Sequence, residues 1–160
     1  AEQTRTGTIG LLGTAATIRQ PYVDRLEAEF AQGKLLLRAA APELVSAAEA
    51  KLRGEVVSSA VYQRAAATLR DQPGGAAIDT VVLACTHFPL VEAQLAAAFG
   101  PGVSFVHGAA GIARRIARLC DGQAMARTQP DLALFTRGEP GLAALGPTLE
   151  AYGLTRQEVL

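Results

Sequence analysis

Apolar positions in this chain come in two rhythms. Short unbroken runs alternate with longer stretches whose apolar residues recur every three or four positions. Thr8–Leu12 (TIGLL) is the first unbroken run, closed by Gly13, and predicts a buried strand. Pro21 then opens a helical pattern with Tyr22, Leu26 and Phe30 on one face, stopped by Gly33. Leu35–Leu37 predicts a second strand. Pro42 marks the start of a helix that carries Leu44, Val45, Ala48 and Leu52 inward and stops at Gly54. Val57–Leu69 predicts another helix, and Gln72-Pro73-Gly74-Gly75 a loop.

Thr80–Ala84 (TVVLA), β-branched and apolar throughout, is the clearest strand. It ends at Cys85-Thr86-His87. Pro89 starts the next helix, with Leu90, Ala93 and Ala97 stacked, and Gly100-Pro101-Gly102 breaks it. Val103–Val106 predicts a fourth strand. Ile112–Leu119 predicts a helix with Ile112, Ile116 and Leu119 inward. Asp121–Pro130 reads as a linker, Leu132–Phe135 as a fifth strand and Leu142–Tyr152 as a last helix. Strand and helix alternate throughout, so the expected fold class is α/β with a mainly parallel sheet. Ligands of such sheets sit beyond the carboxyl ends of the strands. Gly13–Thr17, Cys85–His87 and His107-Gly108 are the segments delivered to that edge.

Composition narrows the function classes. The 160 residues make about one domain, with Asp121–Pro130 as the one candidate joint. Lys plus Arg and Asp plus Glu are 15 each, so no single-sign field recruits nucleic acid or an anionic membrane. Arginine dominates the cations, with only Lys34 and Lys51 as lysines, which reads as a coding bias. Two cysteines rule out a disulfide scaffold. No apolar run reaches membrane-spanning length, and the opening AEQTRTGT lacks the plan of a signal peptide. A cytoplasmic, reducing setting is expected. The start at Ala1, almost directly before an apolar run, points to a fragment or a processed product.

Cys85-Thr86-His87 is the most informative tripeptide. A thiol between a strand end and a helix start feels the positive end of the helix dipole, which favours thiolate. A thiolate can act as nucleophile or proton-transfer base, and His87 can hold a proton near neutrality. Thr86 offers a hydroxyl and an N–H to an anionic group. The plainer reading of Cys85 is a small buried hydrophobe. Thr14 and Thr17, in the small-residue stretch after the first strand, can hold a carboxylate or phosphate; the plainer reading has Thr17 capping the helix at Pro21. Glu49 reads as a solvated helix residue, with Arg53 at i+4 as its partner. Cys85, His87, His107 and Cys120 would complete a Cys₂His₂ metal set, but their spacing resembles no standard finger. Cys120 otherwise packs inside a helix face, and a Cys85–Cys120 disulfide does not suit a reducing setting.

DTVVLACTHFPLVEAQL resembles the second-cysteine region of the glutamate racemases, departing only at Ala84 and Val91. IGLLGTAATIRQPY, APELVSAAEAKLRGE and IARR resemble further blocks of that family in the family's order, and LALFTRGEPGLAALGPTLEAYG resembles its C-terminus more loosely. The resemblance implies an Asp/Glu-racemase-like α/β fold and a cofactor-independent, two-base interconversion of L- and D-glutamate for peptidoglycan synthesis, without metal. It implies a catalytic set of Cys85, the second cysteine, His87, which assists that thiol, and Glu49, an auxiliary acid orienting the histidine. It implies Thr86, His87, Thr14 and Thr17 as substrate-binding residues. The partners it implies are the missing N-terminal half of the same protein and, as a candidate assembly, a homodimer.

The departures bear on function. The family's Asp-Ser, its Tyr-Gly loop and its first catalytic cysteine, in a C-N-T block, lie in an upstream half absent from these 160 residues. Cys120, in LCDGQ, does not match that block, and His107-Gly108 stands where the family has Asp-Ser. The expected division is therefore a racemase second domain over 1–110 and a C-terminal segment over 111–160 that returns to the absent first half. The isolated chain is then expected to be inactive. The alternatives are a degenerate, non-catalytic binding module and a superfamily racemase of other specificity.

Overall fold

The computed structural model describes residues 1–124, 126 and 129–160. Its centre is a four-stranded, fully parallel sheet in the order β2-β1-β3-β4, with β1 Thr8–Gly13, β2 Leu35–Ala40, β3 Thr80–Leu83 and β4 Ser104–Val106. Every residue of β1 is buried, as a strand flanked on both sides and covered on both faces must be. The predicted α/β class and parallel sheet are those observed.

Side chains two apart along each strand share a face. Leu12, Leu37, Ala39, Val81 and Leu83 form one core with α3 (Glu43–Leu52), α4 (Ser59–Arg70) and α5 (Glu92–Phe99). Leu44 and Ala48 of α3, Ala65 and Leu69 of α4 and Leu95 of α5 are fully enclosed there. Gly10 explains how closely α4 approaches: a Cβ at that position would lie 2.7 Å from Leu69 Cδ1. On the opposite face Arg38 pairs with Asp24 (2.6 Å) and with Glu27, both on α2 (Pro21–Phe30). β2 runs beyond Leu37, where the sequence predicts the strand to end. The arginine breaks the apolar run without breaking the ladder, which continues to Ala40 opposite Gly13.

Asp79 fastens the segment before β1 to the start of β3. Its carboxylate accepts from the Thr4 hydroxyl (2.6 Å), the Arg5 N–H (2.7 Å), the Thr6 N–H (3.0 Å) and the Thr80 hydroxyl (3.2 Å). These bonds hold the carboxyl well below the usual aspartate range, the Thr4 hydroxyl contributing most.

Other elements also differ from expectation. A short helix, α1 (Ala15–Ile18), precedes α2 and is capped by Thr14, whose hydroxyl accepts from the Thr17 N–H. Thr17 is thus the capped residue, and α2 starts at Pro21 with no side-chain cap. Leu142–Tyr152 is not one helix: a 3-10 turn over Leu142–Leu145 leads into α7 (Gly146–Ala151), because Pro147 lacks the N–H that would continue the turn upstream. The polar tail forms a strand: β6 (Arg156–Val159) pairs in parallel with β5 (Leu132–Phe135) as a separate two-stranded sheet.

In the chain α6 (Ala109–Leu119) follows β4 and precedes β5, and it has no buried residue. Ile112, Ile116 and Leu119, expected inward, are 60%, 55% and 61% exposed. The periodicity is real, but among the described residues none covers that stripe. No helix among the described residues is long and apolar enough to cross a membrane.

Candidate functional site

Parallel pairing brings the carboxyl ends of β1, β3 and β4 to one edge. After β1, the Thr14 and Thr17 hydroxyls lie 2.9 Å apart, both half-buried, so each keeps polar capacity at the surface of the loop. After β3, the Ala84 N–H donates to the Leu12 carbonyl (2.8 Å) and the chain leaves the sheet at Cys85.

The turn that follows is held from below. Phe88 and Val91, in a 3-10 turn over Phe88–Val91, are 0% exposed. Burying a side chain of that size contributes about 1.5–3 kcal/mol, which fixes the loop that carries Thr86 and His87. Lys51 of α3 adds a clamp, donating from Nζ to the Leu90 carbonyl (2.7 Å). The helix expected from Pro89 begins as this 3-10 turn and becomes α-helical only at Glu92. The first groups beyond the thiol are therefore those of the 3-10 turn, and the α5 macrodipole begins farther along.

His87 stands between a thiol and a carboxylate. Cys85 Sγ lies 3.9 Å from His87 Nδ1, and Glu49 Oε1 lies 3.7 Å from His87 Nε2. Cys85 and His87 are half-buried; Thr86 and Glu49 are exposed. The other Glu49 oxygen, Oε2, faces Arg53 Nη1 at 3.5 Å, the i+4 pair that the sequence predicts. Arg53 also donates from Nε to Glu55 Oε1 at 2.9 Å, and the Glu55 bond is the largest of the contributions that raise its pKa. A ring placed this way can pass charge between thiol and carboxylate: with a proton on Nε2 toward Glu49, Nδ1 presents a lone pair to the S–H.

A cavity of about 460 Å³ opens on the Glu49 side of His87. Its lining includes Glu49, Arg53 and His87 with Phe135, Arg137 and Glu139 from the C-terminal segment. Nothing in the spacing of residues 135–145 announces this neighbourhood. Thr148 secures the segment by donating its hydroxyl to the Leu52 carbonyl (2.7 Å) at the end of α3.

The metal alternative finds no cluster: among the described residues no three His, Cys, Asp or Glu side chains gather as a metal site. His107 instead pairs with Glu92 (Nε2 to Oε2, 3.7 Å) while its Nδ1 accepts from the Ala109 N–H (3.3 Å). Cys85 and Cys120 are both free thiols.

No family model matches the chain. Individual relatives do. A glutamate racemase of Sphingopyxis alaskensis is 59% identical over 159 residues, covering 96% of this chain and 58% of the relative. One from Pectobacterium carotovorum subsp. carotovorum is 40% identical over 166 residues, covering 100% of this chain and 56% of the relative. Among solved structures, Escherichia coli glutamate racemase in complex with L-glutamate and the activator UDP-MurNAc-Ala superposes with a TM-score of 0.90 at 35% identity, over 99% of this chain and 60% of that one. A glutamate racemase isoform from Bacillus anthracis, at 21% identity and a TM-score of 0.74, shares the fold. This chain is therefore homologous along its whole length to glutamate racemases, and it spans somewhat more than half of theirs.

Proposed function

We propose that this chain supplies the second half of a cofactor-independent glutamate racemase site, with Cys85 as the acid–base group for one face of the substrate α-carbon. The observation that carries the reading is the alignment of Cys85, His87 and Glu49, brought together from two separate elements with the imidazole between thiol and carboxylate. The kinship with glutamate racemases supports it, one of them solved with L-glutamate bound.

In this reading His87 takes the thiol proton on Nδ1 while Glu49 stabilises the imidazolium through Nε2. The Cys85 thiolate then accepts the α-proton of L-glutamate. The C–H bond breaks, and its electron pair stays on carbon, delocalised toward the substrate carboxylate. A second thiol, on the opposite face, returns a proton to that carbon and leaves as thiolate. Configuration inverts and no cofactor is consumed. Thr86, Thr14 and Thr17, all near the same sheet edge, hold the substrate carboxylates through hydroxyl and backbone N–H groups. The long Sγ–Nδ1 separation suits a site that tightens when substrate arrives.

The second thiol belongs to a first racemase half, which residues 111–160 would join to the second domain formed by 1–110, reaching back to α3 through the Thr148 bond to Leu52. The exposed stripe Ile112, Ile116, Leu119 on α6 supports this division, since it is an amphipathic face without cover. The physiological role that follows is D-glutamate supply for peptidoglycan in the cytoplasm. Polarimetry on L-glutamate tests the proposal: the two-half protein inverts the substrate and the 160-residue chain alone does not. Inversion by the chain alone at an enzymatic rate would overturn it.

A further inference from the structure

We propose that Arg53 is a positioning residue for the Cys85 proton transfer, holding the Glu49 carboxylate so that one of its oxygens faces His87. The inference rests on the racemase reading above and concerns the outer end of the same chain of groups.

Glu49 is half exposed along its side chain, and a solvated glutamate free of constraint samples several rotamers. Its two oxygens have different partners here: Oε1 faces His87 Nε2 at 3.7 Å and Oε2 faces Arg53 Nη1 at 3.5 Å. A planar guanidinium holding one oxygen sets the direction of the other. Arg53 is well rooted for this. Its own N–H closes α3 by donating to the Glu49 and Ala50 carbonyls, both at 3.1 Å, and Gly54 ends the helix at φ +77°. Its Nε is anchored on Glu55 at 2.9 Å. On the far side the C-terminal segment abuts its stem: a Cβ at Gly141 would lie 3.7 Å from Arg53 Cδ. Glu139 of the same segment has its pKa lowered, chiefly by its bond to Arg137 and in lesser part by the Arg53 charge. Arg53 thus connects the catalytic turn to residues 139–141 as well as orienting Glu49.

An exposed pair of this length contributes little to stability, so its effect belongs in turnover and not in the melting temperature. The test uses the complete two-half racemase with Arg53→Gln, Arg53→Lys, Glu49→Gln, the Glu49→Gln/Arg53→Gln and Glu49→Gln/Arg53→Lys pairs, and Cys85→Ala as control. Arg53→Gln should lower kcat/KM about ten-fold, a fraction of the roughly 10²-fold that an ångström of misplacement can cost. The loss must be equal in both directions, because the enantiomers are equally stable. The KM for glutamate should stay within about two-fold of the parent, since Arg53 contacts no substrate group in this account. Arg53→Lys, which keeps the charge but not the fork, should fall between.

The decisive comparison is the cycle. In the Glu49→Gln background neither Arg53 substitution should slow the enzyme further. Multiplying losses in the double variants, or an unchanged rate in Arg53→Gln, would overturn the proposal. Should Arg53→Gln fail to fold, Arg53→Lys carries the same cycle. Wild-type activity in Cys85→Ala would instead overturn the role given to Cys85, on which the positioning argument rests, and so keeps the two failures apart.

Discussion

Glu49 Oε1 lies 3.7 Å from His87 Nε2, across the contact between α3 and the turn after β3. The acid that a helical periodicity assigns to solvent is thereby placed at the back of the imidazole whose front faces Cys85. His87→Asn should therefore lower racemisation by about 10²-fold, the usual cost of losing a positioned proton carrier. Glu49→Gln should cost less, about ten-fold, because the ring stays in place and only the stabilisation of its charged form is lost. Steady-state kinetics in both directions on the complete two-half protein read these values.

Asp79 predicts an acid-dependent stability. Its carboxyl is lower in the folded chain than the ordinary value of 3.8, held by the Thr4 hydroxyl and the Arg5 and Thr6 N–H groups. The unfolded chain therefore binds the proton first as pH falls. The stabilisation is complete above the ordinary value and drains away below it, as pH falls toward the folded value. Urea melts of the chain from about pH 6 to pH 3 should show stability falling with acid, and Asp79→Asn should flatten that slope. At neutral pH the same variant should lose about 2 kcal/mol, the order of a buried donor left without its charged partner.

Gly10→Val should destabilise the chain. A Cβ there meets Leu69 Cδ1 at 2.7 Å and Val81 Cγ2 at 3.4 Å, inside a core that is fully closed around both residues. Overpacking of that kind costs about 1–3 kcal/mol. Thermal melting of Gly10→Ala and Gly10→Val, in increasing order of loss, checks it.

Ile116 separates the chain from the complete protein. It is 55% exposed on α6, so Ile116→Asp should move the stability of the 160-residue chain by no more than about 0.5 kcal/mol. If the proposed division holds, the same change in the two-half protein should destabilise by more than about 2 kcal/mol, because there a carboxylate would enter an apolar interface. Equal effects in both would remove the support that α6 lends to the division at residue 110.

The parts of the fold legible in the sequence are those that one residue type decides locally. After their opening threonines, β1 and β3 carry no charged or strongly polar side chain, matching a largely buried central pair of strands. β2 reads short because Arg38 interrupts the apolar run, and its pairing with the distant carboxylates of α2 is a tertiary contact. β6 is invisible because its residues, RQEV, are all exposed and owe their strand to pairing with β5. At the site, Glu49–Arg53 is legible as an i,i+4 pair, whereas Glu49–His87 is a tertiary contact that no local period encodes. The approach of residues 135–145 to His87 is hidden for the same reason.

Proton NMR in heavy water follows the α-proton of L-glutamate with the complete two-half protein and with its Cys85→Ala variant. The parent should exchange that proton for deuterium and build up D-glutamate. The variant should do neither, since the group proposed to remove the proton is gone. Exchange and inversion by Cys85→Ala at the parent rate would contradict the account.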